Sequence, residues 1–314
     1  MNKVFILEPK AGLCNQLYCI CTGVILGLIY KRNIYFQNFH MDYKNEKNIL
    51  HFHEVIDLSQ VKHFLKTIQP SIQIVDSINN TSEIVYLDVD NVHNENDIYK
   101  ILSLEKNKNI PLLNIYNPIS TFIPDKFQAI YHKIKLLIKF NKKYLTIANY
   151  VKDKLQLTNY TCMHIRMEDD AIDFMMECSK INHYNKIINV HRSLYLKELN
   201  LLQKKKINKI YICTSLGILE NKNNNFYKNI KQKYNLIDKQ DVIKEIQEKF
   251  LGNTKDQREI FGIIDFIIAT DSIYFVGCDW SSFSIFIKNH HDASKKNSQL
   301  LGIWNNCKKI DNSV

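Results

Sequence analysis

His164 and Arg166 stand two apart at the end of an apolar run, and Asp279, Ser281 and Ser282 crowd a turn ahead of a helix-spaced segment. Both arrangements suit an anion. A guanidinium keeps its charge at any physiological pH and grips a phosphate through paired N–H donors, although an arginine at a strand end also commonly makes a surface ion pair. In residues 265–287, DFIIATDSIYFVGCDWSSFSIFI, the run Ile273–Val276 is too short for a helix and rich in β-branched and aromatic side chains. Gly277 ends it, Asp279 and Ser281 are both helix-capping types, and Phe283, Phe286 and Ile287 share one helical face. Such a turn aims backbone N–H groups and the Ser281 and Ser282 hydroxyls at one point, at the positive end of a helix dipole. The same residues also suit an ordinary capped helix without a ligand.

Positioning these groups requires strands that end side by side. The chain opens with a strand, Val4–Leu7, a turn over Lys10–Gln16, a helix from about Leu17 to Tyr30 that is apolar nearly all round, and a strand at Ile34–Phe36. A turn at the carboxyl end of a first strand is where open α/β sheets place ligands. Residues 40–125 are less regular, with short strand candidates at Ile72–Val75 and Ile84–Leu87. Asp88-Val89-Asp90 follows the second of these. That spacing can hold a divalent cation on a nucleotide sugar in metal-dependent glycosyltransferases, and it also arises by chance. Tyr144, Ile147, Ala148, Val151 and Leu155 mark a packed helix within 127–155. A second series follows: a strand at Thr161–Ile165, a helix at Lys186–Leu202, a strand at Lys209–Cys213 and a helix within Gln247–Thr270. The expectation is an α/β protein of two doubly wound, Rossmann-like domains, 1–150 and 151–314, facing each other across a cleft.

Composition narrows the classes. A chain of 314 residues with 45% hydrophobic content has room for two domains of ordinary size. The longest apolar stretch, Leu17 to Tyr30, is interrupted by Thr22 and two glycines and falls short of the about 20 residues a spanning helix needs, so no membrane span is expected. Glu8, Pro9 and Lys10 stand where the apolar part of a signal peptide would run, and the eight cysteines form no C-x-x-C pair. A reducing, cytoplasmic setting is the expectation, with the N-x-[ST] matches at Asn79, Asn80 and Asn159 incidental. The net charge of +10 comes from scattered lysines with no nucleic-acid motif, so no nucleic-acid partner is expected. Long-range attraction would instead favour a small anionic substrate.

Three separated motifs carry a resemblance together. Gly12-Leu13-Cys14-Asn15-Gln16 before a long apolar helix is similar to a G-x-x-N-Q turn. His164-Ile165-Arg166-Met167-Glu168-Asp169-Asp170 is similar to an H-h-R-h-x-x-D motif, with h apolar. Asp265, Phe275, Gly277, Ser281, Ser282 and Phe283 stand at the spacing D-x9-F-x-G-x3-S-S-F, and Ile210–Ser215 resembles the strand before a sugar-nucleotide pocket. The combination resembles the GDP-fucose-dependent fucosyltransferases, closest to the protein O-fucosyltransferase branch.

The resemblance implies a GT-B-type fold and transfer of L-fucose from GDP-fucose to a protein or glycan hydroxyl, inverting and without a metal or other cofactor. It implies catalytic roles for Arg166 and Asn15, with donor contacts from Gly12, Leu13, Cys14, Asn15, His164, Arg166, Asp265, Ser281, Ser282 and Phe283. Arg166 would stabilise the departing β-phosphate oxygen, Asn15 hydrogen-bond the sugar or leaving group, Asp265 accept from guanine or ribose, and Phe283 pack beside base or sugar. His164 would line the nucleotide pocket or brace the strand end. Two positions depart from the pattern: Cys14 replaces a glycine before the asparagine, and Met167 replaces the second arginine of α1,2- and α1,6-fucosyltransferases. Glu8, Glu168, Asp169 and Asp170 lie near motif positions without one standing out as a general base. Alternative readings are an α1,2- or α1,6-type glycan fucosyltransferase, a metal-dependent enzyme using Asp88 and Asp90, and a GDP-sugar-binding protein without catalysis.

Overall fold

The computed structural model describes residues 3–9, 12–41, 49–78, 84–87, 102–103, 110–116, 123–179, 183–215, 222–252 and 257–311. The chain divides into two compact units, Met1–Tyr144 and Leu145–Val314. In the first, β1 (Val4–Glu8), α1 (Leu13–Tyr30) and β2 (Asn33–Phe36) lead into β3 (Asn38–His40), β4 (Ile49–His51), α2 (Phe52–Val55), β5 (Ile56–Asp57) and α3 (Ser59–Ile68). Then come β6 (Ile84–Leu87), β7 (Leu112–Tyr116), α4 (Asp125–Leu137) and β8 (Lys139–Phe140). Helix α5 (Lys142–Lys154) carries the chain into the second unit. The main sheet has the order β2-β1-β7-β6 with every pair parallel.

Helix α1 begins at Leu13, not near Leu17. Gly12 is its N-cap in an extended conformation (ψ 163°), and the Gly12 carbonyl already accepts the N–H groups of Asn15 and Gln16 at 2.9 and 3.2 Å. Asn15 and Gln16 therefore sit on the first helical turn, where a turn was expected. The longer helix, 18 residues with mean hydropathy 1.6, is apolar enough to cross a membrane by length and composition, which corrects the reading from the shorter stretch. It lies 72% buried. Its packing against the sheet is close, since a side chain at Gly23 would overlap Leu7. Residues 127–155 form two helices, because Ile138 turns extended (ψ 126°) and β8 pairs with β5. Ile72–Val75 supplies only an isolated bridge, Ile34 to Ile74. Asp88 and Asp90 lie outside the described residues.

The second unit runs β9 (Thr161–His164), α6 (Asp169–Ser179), α7 (Tyr184–Lys204), β10 (Ile210–Cys213), α8 (Asn224–Tyr234), a 3-10 turn (Lys239–Val242), α9 (Ile243–Ile246) and α10 (Gln257–Asp271). It ends with β11 (Tyr274–Cys278), α11 (Ser282–Ala293), β12 (Asn297–Leu301) and α12 (Ile303–Asp311). Its sheet is parallel in the order β10-β9-β11-β12. Burial on both faces explains why β10 reads as an unbroken apolar run, while in β9 the polar Thr161 and His164 flank Cys162 and Met163 and are buried with them. Met163, Ile212, Val276, Tyr195 and Leu199 are among the residues that close the core.

The strand order fixes where a ligand belongs. The chain leaving β9 returns as β10 on one side, whereas the chain leaving β11 returns as β12 on the other. The connections part between β9 and β11, which makes that crevice the topological switch point, the usual ligand site of an open parallel sheet.

Candidate functional site

Arg166 lies two residues beyond the end of β9. Its N–H leaves the ladder and donates to the Tyr195 hydroxyl on α7 at 3.0 Å. Its guanidinium is about a quarter exposed, with Nη1 3.0 Å from Glu168 Oε2 and Nη2 3.4 Å from Asp170 Oδ2. Glu168 is buried, and its other oxygen accepts the Ser215 hydroxyl and N–H at 2.6 and 3.0 Å. Burial alone would raise this carboxyl, but Arg166 and then the Ser215 hydroxyl outweigh it and hold Glu168 below the usual carboxylate range. Asp169 accepts from the Tyr184 hydroxyl at 3.0 Å. A second guanidinium, Arg258 at the start of α10, reaches the same Asp170 oxygen at 3.2 Å.

His164 joins this strand end to the facing helix. Its Nδ1 lies 2.8 Å from Ser284 Oγ, which also accepts the Cys278 N–H at 3.0 Å, and its ring centroid is 4.7 Å from that of Phe283. Burial pushes its imidazole down to about 3, with Glu168 opposing and Arg166 adding, so the ring is neutral at pH 7. Of the two roles anticipated for His164, the geometry supports the brace. Across the crevice, α11 starts at Ser282, and Ser281 as its N-cap makes no side-chain capping bond. The first-turn N–H groups, which no helix satisfies internally, keep their donors for another acceptor. Asp279 does not cap α11. Its Oδ1 accepts the Trp304 N–H at 3.0 Å and so caps α12, because β11 and β12 run side by side and bring the two helix starts together. Gly277 allows the close approach, since a Cβ there would lie 2.6 Å from Ser284 Cβ and Oγ.

Asp265, expected at guanine or ribose, is turned inward. It is 4% exposed, with one oxygen accepting from the Tyr211 hydroxyl at 2.7 Å and the other paired with the buried ammonium of Lys239. Burial raises Asp265 to about 6 against the pull of Lys239; burial lowers Lys239, and Asp265 overcomes this and leaves it raised. At neutral pH the two form an ion pair. Lys239 also donates to the Thr214 carbonyl at 2.7 Å, beside the Ser215 that fixes Glu168. The reason for the correction is the face of α10 that carries Asp265, which packs against β10. A continuous set of contacts runs from Asp265 through Lys239 and Thr214 to Ser215, Glu168 and Arg166.

In the first unit, Leu13 and Cys14 have buried side chains, so only their backbone can serve a ligand. Gly12 has open space where a Cβ would stand. Asn15 is half-buried, with no side-chain partner among the described residues. Gln16 holds both backbone groups of His40, accepting its N–H at 2.9 Å and donating to its carbonyl at 2.8 Å. Among the described residues, no three His, Cys, Asp or Glu side chains gather as a metal site.

Sequence reasoning missed Lys239, Tyr211, Ser284, Tyr195 and Arg258. Ser284 carried a signal as the residue directly after the S-S-F run, and Tyr211 lay within the Ile210–Ser215 strand without a role of its own. The others meet their partners across 26 to 88 positions, which no local pattern reveals.

The sequence model described as GDP-fucose protein O-fucosyltransferase matches residues 30–294, a span that contains Arg166, Arg258 and the start of α11 and begins after the Gly12–Gln16 turn. No curated protein matches the chain. Among solved structures, POFUT1 in complex with GDP is similar at 11% identity and TM-score 0.60, over 96% of this chain and 99% of that one. POFUT1 in complex with GDP-fucose is similar at 11% identity and TM-score 0.56, over 96% and 98%. The fucosyltransferase NodZ from Bradyrhizobium is similar at 7% identity and TM-score 0.54, over 92% of each chain. The architecture is therefore the GT-B-like α/β fold of these proteins, and since the family pattern runs through most of the sequence, the chain belongs to the GDP-fucose protein O-fucosyltransferase family.

Proposed function

We propose that the protein moves L-fucose from GDP-fucose to a hydroxyl of a protein or glycan acceptor, with inversion at the anomeric carbon and without a metal ion. Family membership supports the donor and the transfer. The observation that carries the reading is the His164 bridge, which ties the strand end bearing Arg166 to the first turn of α11 at the switch point. A guanidinium and an uncapped helix start then share one crevice, which suits a diphosphate.

When the bond between fucose and the β-phosphate oxygen breaks, the sugar ring gains positive character and that oxygen gains negative charge. Groups already fixed around the oxygen lower the barrier if they hold it more tightly in the transition state than in the ground state. Arg166 suits this role because its carboxylate neighbours orient it beforehand. The first-turn donors at Ser282 and Phe283 would hold the same diphosphate. Phe283 would lie beside the sugar or base. Glu168 and Asp169 act as holding groups, since their oxygens already accept from Arg166, Ser215 and Tyr184. Asn15 is assigned a hydrogen bond to sugar or leaving group, supported by its uncommitted amide at the start of α1.

The test is turnover of GDP-fucose in EDTA with a panel of protein and glycan acceptors, read as GDP release and as the anomeric configuration of the product by NMR. Release with inversion is expected, lowered about 10²–10³-fold in Arg166→Ala. Release that requires added manganese, or retention of configuration, would contradict the proposal.

A further inference from the structure

We propose that Arg258 is a positioning residue for the donor diphosphate, acting through the carboxylate it shares with Arg166; the inference rests on the donor reading above. Arg166 has two carboxylate partners of unequal grip. Glu168 is fixed, one oxygen 3.0 Å from Nη1 and the other taken by Ser215. Asp170 is looser. Its side chain is 28% exposed, and Oδ2 faces Nη2 of Arg166 at 3.4 Å and Nη2 of Arg258 at 3.2 Å.

The looser bond is the one a diphosphate oxygen can replace. Nη2 would exchange a long, solvent-reachable contact for a charge-assisted bond to a ligand of higher charge. Asp170 then needs another cation, and Arg258 is already in contact with it. Helix formation does not account for an arginine at that place, because a cation in a first helical turn opposes the dipole. Charge balance points the same way. Among Arg166, Glu168, Asp170 and Arg258 the charges cancel. Without Arg258 the group is left one negative charge in excess, which repels the incoming diphosphate and keeps Asp170 on Arg166. Removing Asp170 as well restores the balance.

The test is calorimetric titration with GDP, in EDTA, of the full chain and of Arg258→Ala, Arg258→Lys, Asp170→Asn and the Arg258→Ala/Asp170→Asn double variant, each checked for native circular dichroism. Arg258→Ala is expected to bind about tenfold more weakly, the lysine variant to recover part of the loss, and the double variant to return within about threefold of the wild type. Asp170→Asn alone is expected to bind at least as tightly as the wild type. A merely structural role for Arg258 would not be rescued by removing its partner. Wild-type binding by Arg258→Ala, no recovery in the double variant, or weaker binding by Asp170→Asn would each overturn the inference. Arg166→Ala separates the two levels. If it loses GDP while Arg258→Ala does not, the inference alone falls; if the wild type does not bind GDP, the donor reading falls and takes the inference with it.

Discussion

At the scale of single residues, the crevice depends on side chains that never need to touch a ligand. Lys239 and Asp265 form a buried pair beneath the end of β10, and the pair supports Thr214 and, through Ser215 and Glu168, Arg166. Removing one partner leaves a buried charge uncompensated, which costs far more than the pair contributes when intact. Lys239→Met is therefore expected to lower unfolding free energy by about 3–5 kcal/mol in urea titrations and to weaken GDP binding. Lys239→Met combined with Asp265→Leu should recover most of the stability without restoring GDP affinity. A single variant as stable as the wild type would remove the pair from the account. The motifs marked Arg166, Ser282 and Phe283 as parts of one expected site. The inward turn of Asp265 was not visible, because its partners Tyr211 and Lys239 lie 54 and 26 positions away.

At the scale of elements, the site is a junction between β11 and α11, and its tolerance is a fraction of an ångström. Gly277 meets Ser284 so closely that a methyl group must push the helix away from the strand. Ser284 is also the partner of His164, so the displacement reaches the strand end that bears Arg166. Gly277→Ala is expected to cost about 1–3 kcal/mol of stability through overpacking and to weaken GDP binding disproportionately. Unchanged affinity in a destabilised variant would show that the helix start does not meet the ligand. Six strands (β1, β2, β6, β9, β10 and β11) were read from the sequence to within two residues, since a buried parallel strand such as Ile210–Cys213 is a short apolar run with clear ends, whereas β7 and the half-exposed β12 were not read. Helix starts were harder. Gly12 and Asp279 are capping types in any reading, but which helix each one caps depends on φ, ψ and on neighbours such as Trp304, 25 residues away.

At the scale of the whole molecule, pH tests whether the buried histidines are neutral. Burial pushes His164 down to about 3 and takes His191 to about 3 as well. The unfolded chain binds a proton at each below about 6.5, whereas the folded chain does not, so stability falls as pH falls through that value. Between pH 7.5 and 6 each histidine should remove about 0.8 kcal/mol, read from urea midpoints, and His191→Phe should lessen the fall by that amount. A flat profile in that window would mean that the rings are protonated or exposed. Asp265, raised to about 6, works in the opposite direction and is half protonated at pH 6, so it returns about 0.4 kcal/mol over the same window. The alternating strands and helices disclosed two α/β units, because parallel sheets need crossover helices. Residues 40–125 gave little, since β7 meets β6 from 28 positions away and the locally paired β3 and β4, three residues each, are too short to carry a pattern.

In the proposed reading, the β9–β11 crevice binds the diphosphate of GDP-fucose through Arg166 without a metal. Its most direct test is calorimetric titration of the full chain with GDP, GDP-fucose and UDP-sugars in EDTA, repeated on Arg166→Ala. The account predicts that GDP and GDP-fucose bind in the presence of chelator, that UDP-sugars bind more weakly, and that the variant loses about 10–100-fold in affinity for both guanine ligands. Preference for a UDP-sugar, binding that appears only with added manganese, or an Arg166→Ala variant with wild-type affinity would contradict it.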